Sequence, residues 1–433
     1  MKHANLAPQF GLALASLVIA AARVAAAEVP VAVKIVKHDN GYTLTRNGQP
    51  YYIKGVCGGS KLDQFVEAGG NSIRAYGAES LDNAQAKGLT VLVGLNTGKP
   101  RNGFNYSDPE RLAAQKESIR RTVQRLKVHP AVLMWALGNE SELNASEADR
   151  IRIWKAFNEL AEMIKQIDPK HPVITVLAGL GRTKLSELNE HCPALDAVGL
   201  NSYGGMMSLP EEVKRQGWTR PYVVTEFGPR GHWEVGKTPW GIPIEDDSTT
   251  KAELYQRAYQ HAVAGQGACL GSYVFLWGQK QEKTHTWYGM FLPDGSPLGA
   301  VDAMTYNWTG NWPANRCPRI GAGKVSVVAE GPTDTRQHTF APGTKLKCAV
   351  DAADPDGDPI TVRWDLRIDI ADNPRTGGDR EEPTPPIAGA VLSAGGNESV
   401  VQLPAKPGKY RIFAYVYDPK GRAATANVPI LAK

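Results

Sequence analysis

A chain of 433 residues is too long for one ordinary domain. Its 49 Lys and Arg against 44 Asp and Glu leave a formal charge of +5 with no basic cluster, too mild a surplus to indicate a nucleic-acid partner. Five cysteines are too few for a disulfide framework and odd in number, which leaves at least one unpaired; Cys317 and Cys348 are the pair to watch.

Residues 1–27 combine Lys2, an apolar stretch from Phe10 to Ala22 and the small-residue run Ala25-Ala26-Ala27, the pattern of a cleavable signal peptide. The apolar stretch is shorter than the roughly 20 residues of a spanning helix. The expectation is therefore export to the periplasm or medium, with no membrane association after cleavage. Residues 28–50 hold two turn signals, Asn40-Gly41 and Asn47-Gly48, and read as short strands that plug the N-terminal end of a barrel.

Residues 51–312 alternate apolar runs with amphipathic ones. The runs are Tyr51–Cys57, Ser72–Gly77, Thr90–Leu95, Val132–Gly138, Pro172–Gly179, Leu195–Gly204, Tyr222–Gly228 and Gly271–Gly278. Helical stretches lie between them, one with Ser107 as N-cap and Pro109 in its first turn, another capped by Ser146, and a last helix is expected around Leu298–Trp308. Apolar runs without alternation indicate parallel strands covered on both faces. Eight strand–helix units at this length predict a closed (β/α)8 TIM barrel. An open doubly wound sheet would carry a Gly-rich phosphate loop, and Cys57-Gly58-Gly59-Ser60 lacks the spacing.

Residues 313–433 lose helical periodicity. Tyr410, Ile412, Ala414 and Val416 alternate with outward partners, and turn residues punctuate several such runs, predicting a small all-β sandwich. The Asp-Pro-Asp-Gly-Asp turn followed by a Trp strand resembles a PKD or cadherin-like immunoglobulin-type module. Asp354, Asp356 and Asp358 are better explained by a tight turn than by calcium, and no His spacing suits zinc, so no metal and no cofactor is expected.

Barrel enzymes carry their reactive groups at the C-terminal ends of strands. Glu140 ends the fourth apolar run and Glu226 the seventh, 86 residues apart, which is three strand–helix units. Both carboxylates should face one mouth. Two carboxyl groups there suit glycoside hydrolysis, one protonating the leaving oxygen and the other attacking the anomeric carbon.

The stretches Trp135-Ala136-Leu137-Gly138-Asn139-Glu140, Thr225-Glu226-Phe227-Gly228, Asn201-Ser202-Tyr203 and Ser72-Ile73-Arg74 resemble the active-site signatures of clan A retaining β-glycosidases. With Tyr52-Ile53-Lys54-Gly55-Val56, they are most similar to the barrel domain of glycoside hydrolase family 2. The resemblance implies Glu140 as acid/base, Glu226 as nucleophile, and Asn139 as partner of a sugar 2-hydroxyl. It also implies that Arg74 and Tyr203 hold the nucleophile ionised, that Asn201 belongs to the sugar site and that Trp277 floors it. The β-sandwich domains that usually precede such a barrel are not seen before Tyr51, and Arg74-Ala75-Tyr76-Gly77 resembles enzymes that cleave or transfer β-glucans, so a more open cleft is expected.

The long stretch Pro229–Thr250 offers Trp233 and Trp240 for stacking on further sugar units, and His232, Glu234 and Arg230 for hydrogen bonds. Trp287 and Tyr288 stand evenly between packing and sugar contact. The expected activity is a retaining β-glycoside hydrolase acting on a β-linked glucan- or galactan-type oligo- or polysaccharide. Transglycosylation by the same two glutamates is the enzymatic alternative, and a non-catalytic carbohydrate-binding protein the other.

Overall fold

A computed structural model describes residues 31–329, 338–373 and 381–433. The expected signal peptide, residues 1–27, lies outside the described residues. No helix among the described residues is long and apolar enough to cross a membrane.

Strands β1 (Val33–His38), β2 (Gly41–Arg46) and β3 (Gln49–Pro50) form an antiparallel sheet. Val33 and Leu44 pack with Ile53, Leu133, Ala197, Val223 and Leu270 beneath the barrel. Backbone bonds from Val33 to the Lys170 carbonyl (2.9 Å) and from Tyr42 to the Gly267 carbonyl (2.8 Å) fasten this sheet to the loops entering two barrel strands.

The barrel closes through eight parallel strands: β4 (Ile53–Cys57), β5 (Ser72–Ala75), β6 (Thr90–Leu95), β7 (Val132–Leu137), β8 (Val173–Ala178), β9 (Ala197–Asn201), β10 (Tyr222–Phe227) and β11 (Cys269–Val274). Eight helices follow the strands in turn: α1 (Leu62–Glu67), α2 (Ala78–Ala86), α3 (Pro109–Leu126), α4 (Glu147–Ile167), α5 (Lys184–His191), α6 (Leu209–Arg215), α7 (Ser248–Ala262) and α8 (Gly299–Thr309). Strands β6, β7, β10 and β11 are buried at every position, since side chains fill the barrel on one face and helices cover the other. The N-cap of α3 is Asp108 rather than Ser107: its carboxylate accepts from the amides of Glu110 (3.0 Å) and Arg111 (3.1 Å). An ionised oxygen at the helix start also meets the dipole favourably, which a serine does not. Ser146 caps α4 as expected, accepting from Asp149 at 3.1 Å.

The largest difference from the sequence reading lies in the last barrel strand, which begins at Cys269 and ends at Val274. Gly271 suggested a strand start. It lies inside the strand instead, where the β4 backbone comes so close that a Cβ would meet the Ile53 carbonyl oxygen at 2.2 Å, so the position requires glycine for close approach.

After the barrel, two four-stranded sheets enclose a second core. One orders β12 (Arg319–Ala329), β14 (Lys345–Ala353), β17 (Glu398–Gln402) and β16 (Val391–Gly395). The other orders β13 (Thr339–Phe340), β19 (Ala423–Ala432), β18 (Gly408–Tyr417) and β15 (Thr361–Ile368). Leu346, Val401, Trp364 and Ile412 meet between them. Asp354 accepts from the amides of Asp356 (2.8 Å) and Asp358 (3.3 Å), the local bonding of a tight turn. All five cysteines are free and buried. Cys317 and Cys348 are not bridged: Cys348 points into the sandwich core, while the Cys317 amide bonds Asp302 on α8 at 2.6 Å.

The sandwich docks on the barrel through Leu292, Leu298, Phe413, Tyr415 and Ala423. His285, 4% exposed, sits in this contact with its Nε2 2.7 Å from the Tyr415 hydroxyl and its ring 4.7 Å from Phe413. Burial and nearby Arg367 push its pKa down to about 4, against the weaker upward pull of Glu245 and Asp365. The unfolded chain takes up the proton near pH 6.5 and the folded chain only near 4, so stability is complete above 6.5 and falls as pH drops through that window. The expected loss is on the order of 3 kcal/mol. Denaturant unfolding at pH 7 and pH 4 reads it; His285→Phe should flatten the slope, and an unchanged slope would exclude His285 as its source.

Candidate active site

The polar ending of β7 is a backbone event. Gly138 has φ +68° and a Cβ there would lie 2.4 Å from Thr97 Oγ1, so only glycine lets the chain leave the strand here. Glu140 then takes φ +52°, a left-handed conformation costing a glutamate roughly 1 kcal/mol. Its amide is held by the Val176 carbonyl at 2.9 Å, and Arg101 Nη1 donates to the Glu140 carbonyl. The turn aims the carboxylate into a cavity of about 940 Å³ over the C-terminal ends of the barrel strands. Glu226, one residue before the end of β10, opens into the same cavity.

A continuous chain of hydrogen bonds joins the two carboxylates. Asn201 Nδ2 donates to Glu140 Oε1 (2.8 Å) and to Asn139 Oδ1 (3.2 Å). Arg74 Nη2 donates to the same Asn139 oxygen at 2.7 Å, and its Nη1 donates to Glu226 Oε1 at 2.7 Å. The Tyr203 hydroxyl donates to Glu226 Oε2 at 3.0 Å, and Thr225 Oγ1 orients Asn201 at 2.8 Å. Thus Arg74, Asn139, Glu140, Asn201, Tyr203 and Glu226 come together from the ends of β5, β7, β9 and β10.

Burial pushes the Glu226 carboxyl above its ordinary value; Arg74 pulls it back, the Glu140 charge pushes it up again, and the bonds from Arg74 and Tyr203 lower it, with a net upward shift. Burial opposes the Arg74 charge, yet Glu226 more than restores it. Both Glu226 oxygens accept from donors, one of them a guanidinium, and such bonds favour the ionised form. Burial and the Glu226 charge raise Tyr203 far above the phenolic range, which keeps its hydroxyl a donor.

His232 and Trp233 line the cavity, with Trp233 58% exposed and edge-on to Tyr203 at 5.7 Å. Burial, with Lys283 and Lys237, lowers His232 to about 4, so it presents a neutral imidazole at neutral pH. Tyr288 also lines the cavity, and its hydroxyl accepts from the His232 amide at 3.3 Å. Trp287 is packing: it is buried and donates to the Arg230 carbonyl at 3.0 Å.

Trp277 does not floor the site. It is fully buried outside the barrel wall, with ring centroids 5.4 Å from Phe65, 5.2 Å from Phe291 and 6.2 Å from Trp308. The strand ends three residues before it, so its side chain falls among α1 and α8. Phe275 lines the cavity in its place, 6.1 Å from Tyr203 and 5.7 Å from Tyr288. Trp240 is also outside the cavity lining; it lies toward the sandwich, where Lys409 Nζ donates to its carbonyl at 3.2 Å. Arg230 is occupied by Asp246 at 2.6 Å, and Glu234 uses one oxygen on the amides of Gly204 (2.8 Å) and Gly231 (2.7 Å). Glu234 therefore ties the Tyr203 turn to the loop after β10. Lys280 and Glu282, which also line the cavity, carried no signal in the sequence.

Residues 73–269 match the family described as Glycosyl hydrolases family 2, TIM barrel domain. A beta-glucuronidase of Paenibacillus borealis is 27% identical over 244 residues, 46% of this chain and 39% of that protein. A beta-glucuronidase of Streptococcus agalactiae serotype V is 23% identical over 262 residues, 49% of this chain and 42% of that one. The chain thus spans about two fifths of the length of these curated relatives. Among solved structures, the GH2 beta-galacturonidase from Eisenbergiella tayi bound to galacturonate shares the fold, with a TM-score of 0.50 and 18% identity over 65% of this chain and 54% of that one.

Proposed function

We propose that the chain is a retaining β-glycoside hydrolase. The observation that carries this reading is the pair Glu140 and Glu226 in one cavity, joined through Asn201, Asn139 and Arg74. Glu226 attacks the anomeric carbon while Glu140 gives its proton to the departing oxygen, so the carbon–oxygen bond breaks as an ester to Glu226 forms. Glu140 then takes a proton from an acceptor hydroxyl, whose oxygen displaces Glu226. Two inversions return the original configuration. Arg74 and Tyr203 stabilise the carboxylate that attacks first and leaves last. Asn139 offers its amide N–H groups to the sugar, since its oxygen already accepts from Arg74 and Asn201.

The substrate we propose is a β-linked glucan- or galactan-type oligosaccharide. The exposed Trp233 at the cavity rim supports it, because an aromatic face packs on the apolar face of a pyranose. Water as acceptor gives hydrolysis and a second sugar gives transfer, through the same groups. The test is product analysis on β-gluco-, galacto- and manno-oligosaccharides together with β-glucuronides, the last because the relatives are named for them. Release of β-configured products from one of these is expected, and binding without turnover across the whole panel would leave a carbohydrate-binding protein instead. Trp233→Ala is expected to raise KM for an oligosaccharide about tenfold, with kcat within a factor of two, read by steady-state kinetics.

We read the C-terminal sheets as an immunoglobulin-type module. Their strand order, four strands in each sheet with the chain crossing between sheets at every step from β12 to β16 and again from β17 to β18, supports this.

A further inference from the structure

The loops after β10 and β11 build one side of the cavity, the first through His232 and Trp233, the second through Lys280, Glu282 and Tyr288. Both loops are tied to the C-terminal sheets. The knot is Glu245, a buried carboxylate outside the cavity near the end of the first loop. Its Oε1 accepts from Lys251 Nζ on α7 (2.5 Å) and from Thr286 Oγ1 (2.8 Å). Its Oε2 accepts from Thr284 Oγ1 (2.6 Å) and from Asn427 Nδ2 on β19 (2.9 Å). One side chain thereby joins both loops, a barrel helix and the sandwich.

The connection continues into the cavity wall. Thr284 and Glu282 exchange backbone hydrogen bonds at 3.0 and 2.7 Å, so the position of Thr284 at Glu245 determines that of Glu282 beside the substrate space. Between them, the Lys283 amide donates to Glu381 (2.7 Å) and its Nζ to the Asn373 carbonyl (3.2 Å), both beyond the barrel. On the first loop, Arg411 of β18 donates to the Pro243 carbonyl at 3.1 Å. A buried carboxylate is tolerated only when its lone pairs are occupied. A module tethered merely for adhesion would require no such network.

We propose that Glu245 and Asn427 are positioning residues through which the C-terminal sheets set the shape of the cavity wall beyond the sugar gripped by Glu140 and Glu226. This rests on the glycoside-cleaving reading above. The sandwich is then a working part of the substrate cleft, and its removal changes which acceptors and longer chains the enzyme handles rather than whether it can break a bond.

The experiment uses the full chain carrying Asn427→Ala or, as an isosteric change on the barrel side, Thr284→Val. Each is assayed on a 4-nitrophenyl β-glycoside of the sugar that wild type cleaves, which reaches little beyond the two glutamates, and on a β-linked tetrasaccharide of that sugar. Expected is a roughly tenfold rise in KM for the tetrasaccharide, with kcat on the aryl glycoside within a factor of two. Equal loss on both substrates, or no change on either in a folded variant, would overturn the proposal. Amide hydrogen exchange over residues 280–288 supplies a readout independent of turnover: at least tenfold faster exchange is expected in the variants, and unchanged protection refutes the link. A wild type that cleaves no glycoside would defeat the functional reading while leaving this exchange result to decide the coupling.

Discussion

Glu226→Ala is expected to lower kcat by roughly 10⁴-fold or more on every β-glycoside that wild type cleaves, because the proposed attack on the anomeric carbon loses its nucleophile. Glu140→Ala should cost about 10² to 10⁴-fold on substrates with poor leaving groups and far less on a dinitrophenyl glycoside, whose phenolate departs without a proton. Added azide separates the two roles. In the Glu226 variant it occupies the space of the lost carboxylate and attacks directly, giving the α-glycosyl azide by a single inversion. In the Glu140 variant it attacks the ester on Glu226 and gives the β-azide. The opposite stereochemistry would exchange the two assignments. A Glu226→Ala protein retaining a tenth of wild-type activity would end the reading altogether.

The largest stability effect is expected at Arg411→Met. Arg411 is 1% exposed, with Nε 2.8 Å from Asp369, Nη1 2.6 Å from Asn427 and Nη2 on the Pro243 carbonyl. Removing the cation strands the Asp369 carboxylate, 1% exposed at its side chain, in the contact between sandwich and barrel. Breaking one side of such a pair costs about 3 to 5 kcal/mol, most of it the penalty on the partner left behind. Denaturant unfolding should show the loss, and Arg411→Met combined with Asp369→Asn should recover part of it by removing the orphaned charge. A single-variant loss below about 1 kcal/mol would show that water reaches Asp369 and that the contact is looser than its geometry implies.

The barrel and its two glutamates were legible in the sequence because their signals are local. Six-residue apolar runs covered on both faces need no alternation, and a polar residue that ends such a run beside glycine marks the point where the chain leaves the core. Thr90–Leu95 matches its strand residue for residue, and Val132 and Tyr222 start theirs where expected. Chain order and repeat length then put Glu140 and Glu226 over one mouth, since parallel strands separated by whole strand–helix units end on the same side of a barrel.

What lay beyond the sequence depended on which backbone approaches which. Trp277 and Phe275 stand two residues apart in one apolar run, and nothing in that run says where β11 ends; in the fold it ends at Val274, with the tryptophan in the helix layer and the phenylalanine on the cavity. Trp240, similarly, is an aromatic in a long loop whose destination was set by the sandwich it meets. The residues alone determined the fold class and the pair of carboxylates, because strand burial and polar termini are written into neighbouring positions. Only the tertiary structure decided the walls of the site and the role of Glu245, because contacts such as Glu245 to Asn427 join residues 182 positions apart, where no local preference carries information.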